Sequence, residues 1–267
     1  MKEYKIIDAH CHVYPDKIAR KASDSTSEFY HMPSLYDGKI STLLEEGTRA
    51  GIGHFVIQSV ATTPHQVSSI NHFIAGAVAS GGGRFTGLGT LHPDSETVEA
   101  DFNEILELGL KGVKLHPDIQ RFPIDAERVH RIYELCEGQL PILMHTGDHR
   151  FDYSNPNRMK PVLDRYKNLV VIGAHFGGWS VWEDAEAMLT GYENFYVDCS
   201  SSLYAMSPER ARALICAYGN DRVLFGTDYP MWDIKTDLAR FMQIELDDAE
   251  RRAILSENAQ RLFGIDC

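Results

Sequence analysis

No stretch of this sequence is apolar for long enough to span a membrane. No C-x-x-C pair occurs either. The five cysteines, Cys11, Cys136, Cys199, Cys216 and Cys267, are odd in number and scattered. That spacing suits neither a disulfide framework nor a cysteine zinc site, so reduced thiols are expected. Basic charge is scarce: 26 Lys and Arg face 38 Asp and Glu, a net −12. Such a field repels phosphate backbones and anionic lipid, which argues against nucleic acid and membranes as partners. The opening "MKEYKIIDAH" lacks the apolar core of a secretory leader, and the cytoplasm is the expected compartment. Low-complexity tracts are missing. So is a glycine-rich phosphate loop after the first apolar run, where "DAHCHVYP" stands instead.

What is present is ample core material, 43% hydrophobic over 267 residues, enough for one domain across 1–267. Short apolar runs at 5–13, 53–60, 85–92, 111–117, 141–147, 169–177, 195–201 and 222–230 read as strands. Amphipathic stretches lie between them. The spacing predicts helices over 94–108 from a capping Asp94, over 207–218 from Ser207 with Pro208 behind it, and over 247–263 ending at Gly264. Eight strand-then-helix units predict an α/β fold, a (β/α)8 TIM barrel. The polar run "KASDSTSEFYHMPSLYDG" at 21–38 predicts an irregular segment. Residues 14–38 are then a candidate lid loop, with Phe29, Tyr30 and Tyr36 to cover a pocket or to meet another copy.

Side chains alternate across a strand. In the first, Ile6, Asp8, His10 and His12 share one face, and Ile7, Ala9, Cys11 and Val13 the other. The apolar set suits packing under helices; the first set turns polar toward the C-terminal end and is expected to point into the barrel mouth. The same rule sets Gly112, Lys114 and His116 against Val113 and Leu115, and Leu143 and His145 against Ile142 and Met144. It sets Val171, Gly173 and His175 against Ile172 and Ala174, and Leu224, Gly226 and Asp228 against Val223 and Phe225. Polar groups thus fall at the C-terminal ends of strands one, four, five, six and eight, the face that carries the active site in barrel enzymes. A lone strand-end histidine is usually just hydrogen-bonded. An H-x-H, two more strand-end histidines and an aspartate on one rim predict a divalent-metal site.

The pieces "DAHCH", "GVKLHP", "MHTG", "YSNPNRMKPVLDRYKNLVVIGAHFGG", "YVDCSS", "FGTDYP" and "ILSENAQRLFGI" span nearly the whole chain. Together they resemble the amidohydrolase superfamily, in its amidohydrolase 2 branch of metal-dependent hydrolases and decarboxylases. The resemblance implies that His10, His12, His145 and Asp228 are metal ligands, that Asp228 also shuttles a proton, and that His175 contacts the metal-bound water or the substrate. The TatD-like nucleases also begin with H-x-H, but they place a bridging glutamate in mid-barrel. Here "FTGLGTLH" has no acid and the fourth strand offers Lys114.

A divalent ion held by three imidazoles and a carboxylate keeps a position for water and lowers that water's pKa to about 7. One zinc ion is expected, with manganese as the alternative, since no glutamate is placed to bridge two cations. Asp228 is the candidate acid–base, and His175 is placed to polarise a carbonyl or hold an oxyanion. Lys114 is read as an ammonium facing a substrate carboxylate or an internal acid, in preference to a carbamate bridging two metals, which needs a neutral amine. His116, Arg150 and Trp179 are candidate substrate contacts; Tyr153 and Arg158 lie in the same loops. Asp8 is expected behind the ligands. Asp198 either lines the site or caps a loop. The leading expectation is hydrolysis of a small-molecule ester, amide or lactone. A carboxy-lyase or hydratase acting on a small carboxylic acid comes second, then a TatD-like nuclease or a non-enzymatic metal-binding barrel. Assembly into a homo-oligomer is compatible with all of these.

Overall fold

The computed structural model describes residues 4–266; Cys267 lies outside them. The strands are β1 (Ile7–His12), β2 (His54–Gln58), β3 (Phe85–Gly87), β4 (Gly89–Thr90), β5 (Val113–Leu115), β6 (Ile142–Met144), β7 (Val171–Gly173), β8 (Phe195–Asp198) and β9 (Val223–Leu224). Every neighbouring pair is parallel. β3 and β4 are two pieces of one stave, interrupted at Leu88. The Leu88 N–H donates to Ile57 O at 2.9 Å on one side, and the Gly89 N–H donates to Gly112 O at 2.9 Å on the other. The ring closes where Ala9 N–H donates to Phe225 O (2.9 Å) and His12 N–H to Tyr229 O (2.7 Å). All eight strands read from the sequence are staves of this (β/α)8 barrel. Among the described residues no helix is long and apolar enough to cross a membrane, and Cys11, Cys136, Cys199 and Cys216 are free thiols.

Two apolar layers hold the barrel. Outward residues such as Phe55, Ile57, Val113, Ile142, Val171 and Val223 join helix residues Leu43, Ile74, Ile105, Ile132 and Leu214 in the main core. Inward Val56, Leu88, Leu143, Ile172 and Leu224 form a smaller core inside, closed from below by Ala259, Phe263 and Ile265 near the C-terminus. Burial of this scale is the dominant favourable contribution to folding.

Strict alternation fails twice. The β1–β2 register shifts between Asp8 and Cys11. Ile7 and Ala9 consequently belong to the inner core and Cys11 and Val13 to the outer one, so the expected common face of these four is corrected. A bulge adds one residue and reverses the alternation beyond it. On β7 the inward residues are Ile172 and Ala174, with Val171 outside, opposite to expectation. His175 still reaches the interior because His175 and Phe176 have φ of 61° and 53°, which turns the chain.

The segment read as irregular is largely helical. Helix α1 (Asp16–Tyr30) runs without glycine or proline and buries Ala19 and Ser23; the irregular stretch begins with left-handed His31. Polarity there reflects a helix lying on the surface with one narrow face covered, which a run of serines and charges hides. Helix α2 (Ile40–Ala50) precedes β2, and helix α3 (Val67–Ser80) follows it. The helix expected from Asp94 starts at Val98 behind Thr97; Asp94 pairs with Arg128 at 3.1 Å instead. Ser207 caps Pro208–Tyr218 as expected. Asp247 and Glu250 form a full capping box for the last helical stretch, which closes at left-handed Gly264.

Gly147 tests the packing of the rim. It has φ 78°, and a Cβ there would lie 2.5–2.6 Å from backbone atoms of Gly178 and Trp179. Gly51 has φ 88° but open space around it. Gly147→Ala is therefore expected to lose about 1–3 kcal/mol more than Gly51→Ala in urea unfolding, because only the former adds a clash to the left-handed strain. Equal losses would contradict the tight approach of the two loops.

Candidate metal centre

Four imidazoles meet at the C-terminal mouth, and for three of them one ring nitrogen is already engaged. His10 Nδ1 lies 2.9 Å from Asp198 Oδ2. His175 Nδ1 lies 3.0 Å from Ser200 O, and His145 Nε2 lies 3.0 Å from Gly147 O. Carbonyl oxygens only accept, so His175 carries its proton on Nδ1 and His145 on Nε2. The nitrogens they turn toward each other, His145 Nδ1 and His175 Nε2, are 3.1 Å apart. Burial holds His145 well below its ordinary pKa and brings His175 down to about 3, with neighbouring positive charge adding to the effect. Neutral rings in these tautomers face each other lone pair to lone pair. That contact repels unless a cation lies against both, and a divalent ion is what this donor set fits.

The rest of the set adjoins. His10 Nε2 and His12 Nε2 are 3.2 Å apart. Asp228 Oδ1 lies 3.3 Å from the first and 3.5 Å from the second. Burial pushes Asp228 up to about 7, against a lowering hydrogen bond from Ser201 at 2.5 Å and the charge of Lys114. The potential ligand atoms of His10, His12 and Asp228 lie within 4.8 Å of one another. His145 is not part of that compact group and adjoins it through His175. Lys114, fully buried on β5, points Nζ at His10 Nε2 from 3.2 Å. Burial lowers its pKa to about 8, while Asp228 and Asp198 oppose the shift.

Two buried aspartates hold this geometry. Asp8 accepts from His10 N–H (3.1 Å), Thr227 N–H (3.0 Å) and Thr227 Oγ1 (2.5 Å). It clamps the β1 bulge to the turn that carries Asp228. Asp198 is a lining residue and not only a loop cap: beyond His10 it accepts from His175 N–H at 3.2 Å and Ser200 Oγ at 2.5 Å. Ser200 and Ser201 were missed from sequence because they lie past the end of β8, where alternation no longer says where a side chain points. Gln58 was missed too. It follows inward Val56 at the right spacing, and its buried amide has no hydrogen-bond partner among the described residues.

A cavity of about 580 Å3 opens above these groups. His116 and Trp179 line it, as expected of substrate contacts. His116 Nδ1 accepts from Ile119 N–H at 3.3 Å, so its Nε2 donates to Tyr30 Oη at 2.7 Å. Its ring stacks on His145 with centroids 4.1 Å apart. Tyr30 keeps its own proton, since burial raises its pKa well above the ordinary value. Arg150 does not line the cavity. Its guanidinium donates to Asp148 at 2.7 and 2.9 Å and to Phe29 O at 2.7 Å, and it lies over the rings of Phe29, Tyr30, Phe151 and Trp179. It joins the end of α1 to the loop after β6, leaving little donor capacity for a ligand. Arg158 likewise pairs with Asp125 and Asp152.

Asp198→Ala frees His10 Nδ1 from its acceptor. Metal affinity is expected to fall about 10- to 100-fold, read by competition titration with a chelator. Unchanged affinity in a folded variant would show that Asp198 does not fix the ligand's orientation.

The family model for amidohydrolases of the amidohydrolase 2 type matches residues 7–265. An uncharacterized TIM-barrel protein of Bordetella bronchiseptica superposes with a TM-score of 0.81 at 23% identity, covering 97% of this chain and 98% of that one. A putative 2-pyrone-4,6-dicarboxylic acid hydrolase of Pseudomonas putida gives 0.68 at 21%, covering 100% of both. A dihydroxybenzoic acid decarboxylase of Polaromonas, with bound manganese and the inhibitor 2-nitroresorcinol, gives 0.72 at 17%, covering 98% and 97%. No curated protein of similar sequence was found. The match over nearly the whole chain, on a barrel whose mouth gathers the expected histidines and aspartate, makes this protein a member of the amidohydrolase family.

Proposed function

We propose that the protein is a metal-dependent hydrolase of a small ester, amide or lactone. The observation that carries the reading is the facing of His145 Nδ1 and His175 Nε2 at 3.1 Å with both opposite nitrogens engaged by carbonyls. His10, His12, His145 and Asp228 would hold one divalent ion, zinc or manganese. Such an ion supplies Lewis acidity and a water acidified to about neutral pKa.

The chain's own groups do the rest. Asp228, brought by burial into the neutral range, takes a proton from the attacking water and returns it to the leaving group. Its neighbour Ser201, itself accepting from Trp232 Nε1 at 2.7 Å, fixes the carboxylate's orientation. His175, with its proton on Nδ1, turns its bare Nε2 toward the ion's position and can accept a hydrogen bond or a proton from the attacking water or the substrate. Tyr30 offers its hydroxyl proton to the substrate, because its oxygen already accepts from His116. Lys114, lowered by burial while Asp228 and Asp198 oppose the shift, is read as an ammonium that attracts an anionic substrate group.

Carboxy-lyase chemistry is the second reading, favoured by one observation. Lys114 provides a buried cation for a substrate carboxylate, and Asp228 lies close enough to it to pass a proton to carbon. Carbon dioxide release from aromatic acids, with no turnover of lactones or N-acyl compounds, would select it over hydrolysis.

Purified protein is expected to carry near one equivalent of zinc or manganese; failure to bind either on addition would sink the reading. Asp228→Asn is expected to retain part of the metal and lose about 10²-fold in turnover, the usual scale for a positioned acid–base group. Near-normal turnover in a metal-replete variant would remove Asp228 from that role. Lys114→Ala is expected to keep one ion and raise KM chiefly. Loss of a second metal equivalent, restored by a short carboxylic acid, would establish a bridging carbamate instead.

A further inference from the structure

The cavity does not end above the metal centre. Its lining takes in Ile18 and Ala22 of α1, Ile70 and Phe73 of α3, and Ile119, an apolar arm of the wall. Ile18 is 45% exposed, a large apolar side chain left open to water at this opening. Several of the polar groups here bond within the chain. Gln66 Oε1 accepts from Thr62 N–H and Oγ1 at 2.8 and 3.0 Å. Ser69 Oγ donates to Gln66 O at 2.9 Å, and Thr26 Oγ1 to Ala22 O at 3.2 Å. What this side arm offers a ligand is mainly hydrocarbon surface. Among lysines and arginines, those lining the whole cavity are Lys114 at the floor and Lys17, exposed at the outer rim.

We infer that the arm binds an apolar chain, alkyl or arylalkyl, attached to the oxygen-bearing head that meets the metal centre. The substrate is then an amphiphile with at most one buried anionic group, not a compact dicarboxylate. The assignment of the head group rests on the proposed hydrolase site; the arm itself rests on its lining. A volume of about 580 Å3 accommodates such a tail as well as a head. Lys17, in water at the rim, contributes little to holding a second carboxylate.

The test is calorimetric titration of the zinc-loaded protein with acetate, butanoate, hexanoate, octanoate and octanedioate. Affinity is expected to rise with chain length, by up to about fourfold per methylene, with octanedioate weaker than octanoate. Ile18→Asp places a charge at a position already open to water, so the fold tolerates it. It is expected to weaken octanoate by about tenfold and leave acetate unchanged. Affinity that is flat along the series, octanedioate binding more tightly than octanoate, or an Ile18→Asp effect equal for acetate and octanoate would overturn the inference. A rising series without turnover of any ester, amide or lactone would remove the hydrolase reading and leave the arm standing. Turnover with a flat series would do the reverse.

Discussion

Neutral imidazoles that turn their lone pairs toward one another in the barrel mouth are the constraint on which the rest of this site depends. Burial removes the option of protonating them: His10, His12, His145 and His175 are all held below their ordinary range. Carbonyls of Gly147 and Ser200 remove the option of changing tautomer at His145 and His175. What is left is a pocket of basic electron pairs beside the Asp228 carboxylate. Such an arrangement is unfavourable empty and favourable around a divalent cation, which links metal binding to stability.

The surrounding architecture serves that constraint. The bulge in β1 delivers His10 and His12 to the interior after Ile7 and Ala9 have filled the space beneath. Left-handed residues at His175, Ser201 and Asp228 let three consecutive rim turns aim side chains back over the barrel. Backbone strain of this kind persists where packing over-determines it, and here Asp8 and Asp198 hold the turns from below. Above, α1 lies across the mouth, joined to the loop after β6 by Arg150. The same helix brings Tyr30 to the centre and puts Ile18 and Ala22 on the lining of the cavity.

Much of this was legible in the sequence. Eight apolar runs gave eight staves, because burial on both faces demands them. The residues expected to gather at the rim, His10, His12, Lys114, His145, His175 and Asp228, all line the cavity. Two of the reasons were different from those expected. His175 arrives through a left-handed turn and not through strand parity, and the alternation of β1 is broken by a bulge. Neither leaves a mark in a hydropathy pattern. Arg150 and α1 were misread for a related cause. An ion pair with a residue two positions away, and a helix with one narrow buried face, look in sequence like a free charge and a polar loop. Ser200 and Ser201 carried no signal beyond their place in "YVDCSS".

The most direct measurement is the 15N spectrum of the ring nitrogens in metal-free protein labelled at histidine, repeated after adding zinc. The expected result is neutral rings, protonated at Nε2 in His145 and at Nδ1 in His10 and His175, with the bare nitrogens of His10, His12, His145 and His175 shifting on addition of one equivalent of zinc. Imidazolium at these positions near neutral pH, the opposite tautomers, or rings unmoved by zinc would contradict the account.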